Sequence, residues 1–388
     1  MPKRHKIHKL VTHVAAVFCA ITEMAVAQES QTVTHVSPPS AALIRQNLNT
    51  FVNEGEIFPI YSPLINGFEI ASFINTNVGM ISGSFVALLN DGTIGKLSNE
   101  GFIGMRPPYS VLPEIGVYNA GEMGSLINSG VISASETGIF NSSRIGSLVN
   151  QGAIGLANQT AMGIANDGLV SVIRNDDSIR ATSIGVWNAG TILSFENASS
   201  IHGEEVGVAN AYLVLARNNM AHEVRMQGTI CTLSNEAAAT ISGGIAGLWN
   251  GGRIHALNNG GVITGTTALS NQRKGTIDFI VNDGYLTGQK EALRNAGTIG
   301  GFENFGAMNG TKAVFNKGSI NTFSNHGVGR GLMAGIDNIG VIERLVNAGT
   351  ISASVNAIEN RGQIGSLENK GWIVDGGIAI LNDGGSIR

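Results

Sequence analysis

From about residue 50 onward, one short pattern of apolar and polar positions recurs along the chain, built on the motif Asn-x-Gly-x-Ile. The asparagines fall at spacings that alternate between 9 and about 13 residues. Asn119, Asn128, Asn141 and Asn150 show this, as do Asn316, Asn325, Asn338, Asn347, Asn360, Asn369 and Asn382. A unit is therefore about 22 residues long, and a fixed period of that size marks a stacked repeat. Unit starts run from Asn66 to Asn382, with Met226 read in place of one asparagine.

The spacing inside a unit selects strand over helix. Two residues before the unit asparagine stand aliphatics such as Leu88, Val117, Ile139, Ile164, Val186, Leu248, Ile336 and Ile358. One residue earlier stands glycine or alanine, with Glu223 the exception, and four residues after the asparagine comes a second aliphatic, as at Ile94, Ile145, Ile192, Ile299 and Ile364. Positions of like parity face one way in a strand, whereas helical spacing fits none of these rows. The second half of the unit repeats the pattern one residue out of phase, with Leu97, Leu126, Leu148, Phe195, Leu233, Phe302 and Leu367. A corner at the intervening glycine (Gly95, Gly124, Gly146, Gly300, Gly365) is expected to absorb that slip.

The sequence thus predicts an all-β fold, a parallel β-helix or β-solenoid of about 14 coils of about 22 residues. A single coil cannot bury its own apolar face, so stacking has to build the core. Asparagine and glycine are expected at the corners because they tolerate positive φ, and the stacked amides are expected to bond along the axis. At about 4.8 Å per coil the rod would be roughly 65–70 Å long.

Proline supports this reading. All eight prolines lie at or before Pro113, which suits a body whose strands are paired on both sides, where a missing N–H costs a ladder bond. Pro107, Pro108 and Pro113 occupy a stretched interval between Asn99 and Asn119, read as a protruding loop. Ala211 to Arg225 breaks the beat and is read as an irregular coil.

The first residues read differently. Lys3, Arg4, Lys6 and Lys9 precede an apolar stretch from Leu10 to Ile21, and Ala25-Val26-Ala27 follows. This is the order of a secretory signal peptide over residues 1–27, cleaved after Ala27. Residues 28–50 are read as an N-terminal lead-in and cap, and 51–388 as the solenoid. Cleavage removes four basic groups and one acidic group, taking the net charge from −4 to −7. That balance disfavours nucleic acid as a partner. Cys231 is then the single cysteine, so the exported form has no disulfide of its own.

Candidate chemistry is sparse. Asn175-Asp176-Asp177 holds the only adjacent aspartates, and paired carboxylates can serve a glycosidase. The triplet occupies an Asn-x-Gly slot, however, so a corner role is expected. Glu196, His202, Glu204 and Glu205 lie close in sequence, yet the histidines fall at unrelated repeat positions, so no metal site is expected. Gly327-Val328-Gly329-Arg330-Gly331 resembles a phosphate loop without the helix such a loop needs. Asn141, Asn158, Asn197 and Asn309 begin chance glycosylation sequons. The row before the unit asparagine includes Tyr118, Phe140, Trp187, Trp249 and Phe315, with Arg225, Arg294, Asp337 and Glu359 interspersed, and is read as an outward aromatic stripe that would suit a glycan or a partner. A Thr/Ser file at Thr93, Thr191, Thr229, Thr298 and Ser319 lacks the regular rows an ice-binding face needs.

The run Asn-x-Gly-Thr-Ile-Gly-x-Leu-x-Asn-x-Gly-x-Ile at Asn90 to Ile103, repeated with variation at Asn360 to Ile373, resembles the passenger domains of bacterial autotransporters. The resemblance covers the chain from about residue 50. It implies a secreted or surface-displayed Gram-negative rod, commonly an adhesin or virulence factor, meeting a host or neighbouring-cell glycan or protein. It also implies an outer-membrane barrel; none is read up to Arg388, so the expectation is a passenger cut within a repeat or exported through a separate pore. A non-enzymatic rod without cofactor or metal is the preferred reading. A secreted polysaccharide lyase or hydrolase on the same scaffold is the alternative. An exposed last coil is expected to favour end-to-end self-association.

Overall fold

The computed structural model describes residues 28–36, 43–57, 63–83, 85–104, 113–156, 160–210 and 228–388. The signal peptide, Pro107 and Pro108, and the stretch from Ala211 to Arg225 lie outside the described residues.

The architecture is a parallel β-solenoid of about 14 turns of about 22 residues. One coil shows the plan. A first wall runs over Ile115–Asn119, a second over Glu122–Asn128 and a third over Val131–Ile132. Each strand pairs in parallel with its equivalents one coil before and one coil after: Asn119 opposes Asn90 and Asn141, Leu126 opposes Leu97 and Leu148, and Ile132 opposes Ile103 and Ile154. Pairing begins before the motif does. Gln28–Val36 lies parallel to Leu48–Ile57, which in turn pairs with Glu69–Asn75, so strands within 28–50 already stack as part of the rod.

The predicted rows point inward. Val117, Met123, Leu126 and Ile132 are all buried, and the equivalent residues of every coil form one core from Ile44 to Ile364. Fully burying such side chains is worth about 1.5–3 kcal/mol each, and a coil realises that gain only with neighbours on both sides. Phenylalanines share the second-wall row, Phe302 meeting Phe323 edge-on at 5.2 Å between centroids. The half-unit slip falls where expected: Ile94 and Leu97 are both buried while Gly95 and Lys96 between them are exposed. The last coil has a neighbour on one side only, which leaves Ile378 and Ile380 open to solvent.

The corner asparagines form two columns. On the first corner, Asn90 Nδ2 donates to Asn119 Oδ1 at 2.7 Å, Asn119 to Asn141 at 2.8 Å and Asn141 to Asn166 at 2.8 Å, and the series continues to Asn382. On the second corner, Asn99 donates to Asn128, Asn128 to Asn150, and so on to Asn369. The same amides also tie backbone to backbone, as where Asn119 Nδ2 donates to the carbonyl of Arg144 on the next coil at 2.9 Å. A buried amide with one acceptor and two donors in use is satisfied in a way that no aliphatic or carboxylate allows.

Two expectations fail here. The corner glycines do not adopt positive φ; among the described residues only Gly104, Gly155, Gly384 and Ala238 do. They are needed for close approach, because a Cβ at Gly130 would sit 2.1 Å from the carbonyl oxygen of Gly101, and one at Gly152 would sit 2.2 Å from that of Gly130. The rung expected at Met226, which lies outside the described residues, is bypassed. Asn210 pairs and bonds directly with Asn250, so the interval between them is a single coil carrying an insertion.

Candidate functional surface

Asp176 is tied into the wall by its carboxylate. Asp176 Oδ1 accepts from Arg174 Nε at 2.8 Å, and Arg174 also reaches Glu196 at 2.8 Å and Glu236 at 3.3 Å on successive coils. Hydrogen bonding to Glu196, then the charge of Asp176, holds the Arg174 guanidinium above its ordinary value. Asp177 occupies the corner slot and its carbonyl accepts from Asn175 Nδ2. Arg174 therefore holds the Asp176 carboxylate, whereas Asp177 joins the corner through its backbone and is exposed.

The acidic cluster around His202 does not converge. Glu196 belongs to the second wall with Arg174, His202 stands on the third wall with Nδ1 2.9 Å from Ser242 Oγ, and Glu205 accepts from Ser183 Oγ at 2.9 Å. No group of three potential metal ligands occurs among the described residues. Within Gly327 to Gly331, Val328 onward is already part of the strand Val328–Asn338. Of the sequon asparagines, Asn141 and Asn197 are buried ladder rungs, Asn309 is partly exposed, and Asn158 lies outside the described residues. The Thr/Ser file is interrupted, since Arg253 separates Thr229 from Thr276.

The aromatic row lies on the outer side of the first wall but is not an exposed stripe. Tyr118 is only 8% exposed and stacks on Phe140 with centroids 5.1 Å apart; both pack against Ile65, Val86, Leu89 and Ile115. Trp187 and Trp249 pack on a separate cluster of Ile184, Val206 and Ala209. Phe315 is 7% exposed, with Lys312 over its ring at 4.3 Å, Lys317 at 5.0 Å and Arg294 at 5.5 Å. Cations held over an aromatic face gain from the ring quadrupole. Beside it, fully buried Asp337 accepts from Lys312 and from Arg361 at 2.7 Å. The hydrogen bond to Asp337 holds the Arg361 guanidinium above its ordinary value. One outer wall thus passes from apolar to ionic along the rod.

The third wall carries a polar strip that the sequence reading did not single out. Arg180, His202, Ser242, Thr264, Thr287, Asn309 and Arg330 lie opposite one another in register on successive coils. Beside part of this strip lies an open depression of about 350 Å³, lined by His202, Ser242, Thr264, Thr287 and Gln289 with glycines at positions 243, 244, 265 and 288. It offers hydroxyls and an imidazole at a regular coil spacing of about 4.8 Å. No protein-family model, curated protein or solved structure matches the chain.

Proposed function

We propose that the chain is a non-enzymatic, exported β-helical rod of the autotransporter-passenger kind, displayed at a bacterial surface, whose side walls meet a glycan or protein of a host or neighbouring cell. The observation that carries this reading is the uniform interior beneath a varied exterior. The core and the two asparagine columns repeat coil after coil, while the outer rows change from apolar to ionic to hydroxyl-rich. Such a body keeps its shape over a length no loop-built domain of this charge would hold, and leaves its surface free to be specific. The engagement of the Asp176 carboxylate by Arg174 favours this reading over polysaccharide cleavage.

The test has two arms. Expression of the full chain in a Gram-negative host should yield an exported protein whose first residue is Gln28. The labelled exported protein should then bind cell surfaces or an immobilised glycan panel saturably, and binding should fall when Thr264→Arg and Thr287→Arg obstruct the depression. Release of reducing ends or unsaturated uronides from that panel, lost on Asp176→Ala, would instead establish the enzyme.

A further inference from the structure

The depression on the third wall is built into the backbone. Gly243, Gly244, Gly265 and Gly288 stand along it on successive coils, and a side chain at any of them would strike main chain. A Cβ at Gly243 would lie 2.2 Å from the carbonyl oxygen of Ala246, one at Gly244 2.4 Å from that of Glu204, and one at Gly265 2.6 Å from that of Gly243. The corner therefore carries no side chains here, and an open space of about 350 Å³ runs past it.

Beside this bare corner runs a row of neutral polar groups. His202, Ser242, Thr264 and Thr287 oppose one another on successive coils, about 4.8 Å apart. Ser242 Oγ meets His202 Nδ1 at 2.9 Å. Among the described residues, the hydroxyls of Thr264 and Thr287 and the amide of Gln289 have no protein partner. No carboxylate, ammonium or guanidinium lines the space. At its far end the strand Tyr285–Asn295 turns Tyr285, Thr287 and Gln289 outward and Leu286 and Gly288 inward, so the Tyr285 ring shares a face with the free Thr287 hydroxyl. That ring is 56% exposed, beside the short in-register neighbours Val262 and Ala307.

These features select a ligand. A pyranose ring carries hydroxyls around its rim and C–H bonds on its faces. Side-chain hydroxyls and amides can both donate to and accept from the rim, and an aromatic ring draws the partly positive C–H face onto its own negative face. A peptide strand is disfavoured, because each third-wall strand already pairs with a coil on either side and has no backbone edge to offer. An anionic chain would find no cation in the depression.

We propose that the depression is a subsite for a linear neutral glycan laid along the rod axis, with Tyr285 as its stacking platform and Ser242, Thr264, Thr287 and Gln289 as its hydrogen-bonding partners. An extended hexopyranose chain advances by about one coil spacing per sugar, so the row from His202 to Thr287 meets about four sugars. The proposal rests on the reading of the rod as a surface binder, and narrows it to one wall and one class of ligand.

The test uses the purified full chain with cellotetraose, mannotetraose and maltotetraose as neutral probes and tetragalacturonate as the acidic counterpart. Saturation-transfer NMR detects binding and titration gives the affinity. A neutral tetrasaccharide should bind at millimolar concentration or below, and more tightly than tetragalacturonate. Tyr285→Ala should weaken it about tenfold, and Thr264→Val combined with Thr287→Val about fivefold or more. Tyr285→Phe, which keeps the ring, and Thr298→Val, on the second wall, should match the parent. Binding of no neutral tetrasaccharide, preference for tetragalacturonate, or indifference to both Tyr285→Ala and the threonine pair overturns the proposal. If the parent in that event still binds cell surfaces saturably, only the subsite is lost; if it binds neither cells nor the glycan panel, the surface-binder reading goes with it.

Discussion

Removing one rung from the middle of an asparagine column should cost far more than removing the same residue from its end. Asn188 accepts from Asn166 Nδ2 at 2.8 Å, donates to Asn210 Oδ1 at 2.8 Å, and donates to the carbonyls of Gly190 and Thr229 at 3.2 Å each. Asn188→Ala leaves Asn210 Oδ1 with no amide donor in a fully buried site. A net hydrogen bond is worth about 1 kcal/mol and a stranded buried polar group about 1–3, so the local loss is about 2–4 kcal/mol. Asn382 is exposed, with one rung bond from Asn360 at 2.7 Å and water at hand, so Asn382→Ala should cost below about 1 kcal/mol. A long repeat need not unfold in one step, which makes site-resolved amide exchange the right assay. The amide of Ala189, bonded to the Asn166 carbonyl at 2.8 Å, should exchange roughly 30- to 700-fold faster in Asn188→Ala. Exchange within twofold of the parent would mean that the rungs follow the fold without holding it.

Gly329 occupies an inward third-wall position where Ile351 stands on the next coil. A Cβ there would lie 3.7 Å from Met308 Cε and 3.9 Å from Ala313 Cβ, which is ordinary contact. Gly329→Ala should therefore raise stability by about 1 kcal/mol, through a buried methyl and a less flexible unfolded chain, seen as a higher melting temperature; a lower one would refute the gap. Gly152→Ala should do the opposite. Its Cβ would meet only backbone, the carbonyl oxygen of Gly130 at 2.2 Å and the carbonyl carbon of Ser129 at 2.7 Å, so a loss of at least about 1–3 kcal/mol is expected and unchanged melting would contradict it. Asp278 is held below its ordinary value in the fold, so its contribution is complete above the unfolded carboxyl pKa and is lost as pH falls through the lower folded one. Asp278→Asn should melt below the parent at pH 7, with the gap closing only below about pH 4; a gap that widens on acidification would reverse the assignment.

The stacking is legible in the sequence because it is written at fixed offsets. The aliphatic rows that include Val117 and Leu126, and the asparagines between them, follow from the motif alone. The role of the corner glycines is not legible, since a close approach to the coil below and a positive φ both call for glycine and only coordinates distinguish them. Met226 is misplaced by a beat assumed to be regular, which fills its own gaps, whereas Asn210 bonds straight to Asn250. Parity alone puts the aromatic row on the outside, and that is where it lies. Its burial depends on Ile65, Val86 and Ile115, which come from other coils and from another position of the strand. The row in which Cys231, His255 and Asp278 stand opposite one another on successive coils is hidden for a related reason. His255 is five residues past Asn250, but Asp278 is seven past Asn271 and Cys231 lies beyond the insertion, so no single offset brings the three together.

In both columns the donor always belongs to the earlier coil and the acceptor to the later one. The amide dipoles consequently add instead of cancelling, each bond polarising the next in a low-dielectric setting. Each column is thus polar along the rod axis, with the amide oxygen of every rung turned toward the earlier coil and its N–H toward the later one.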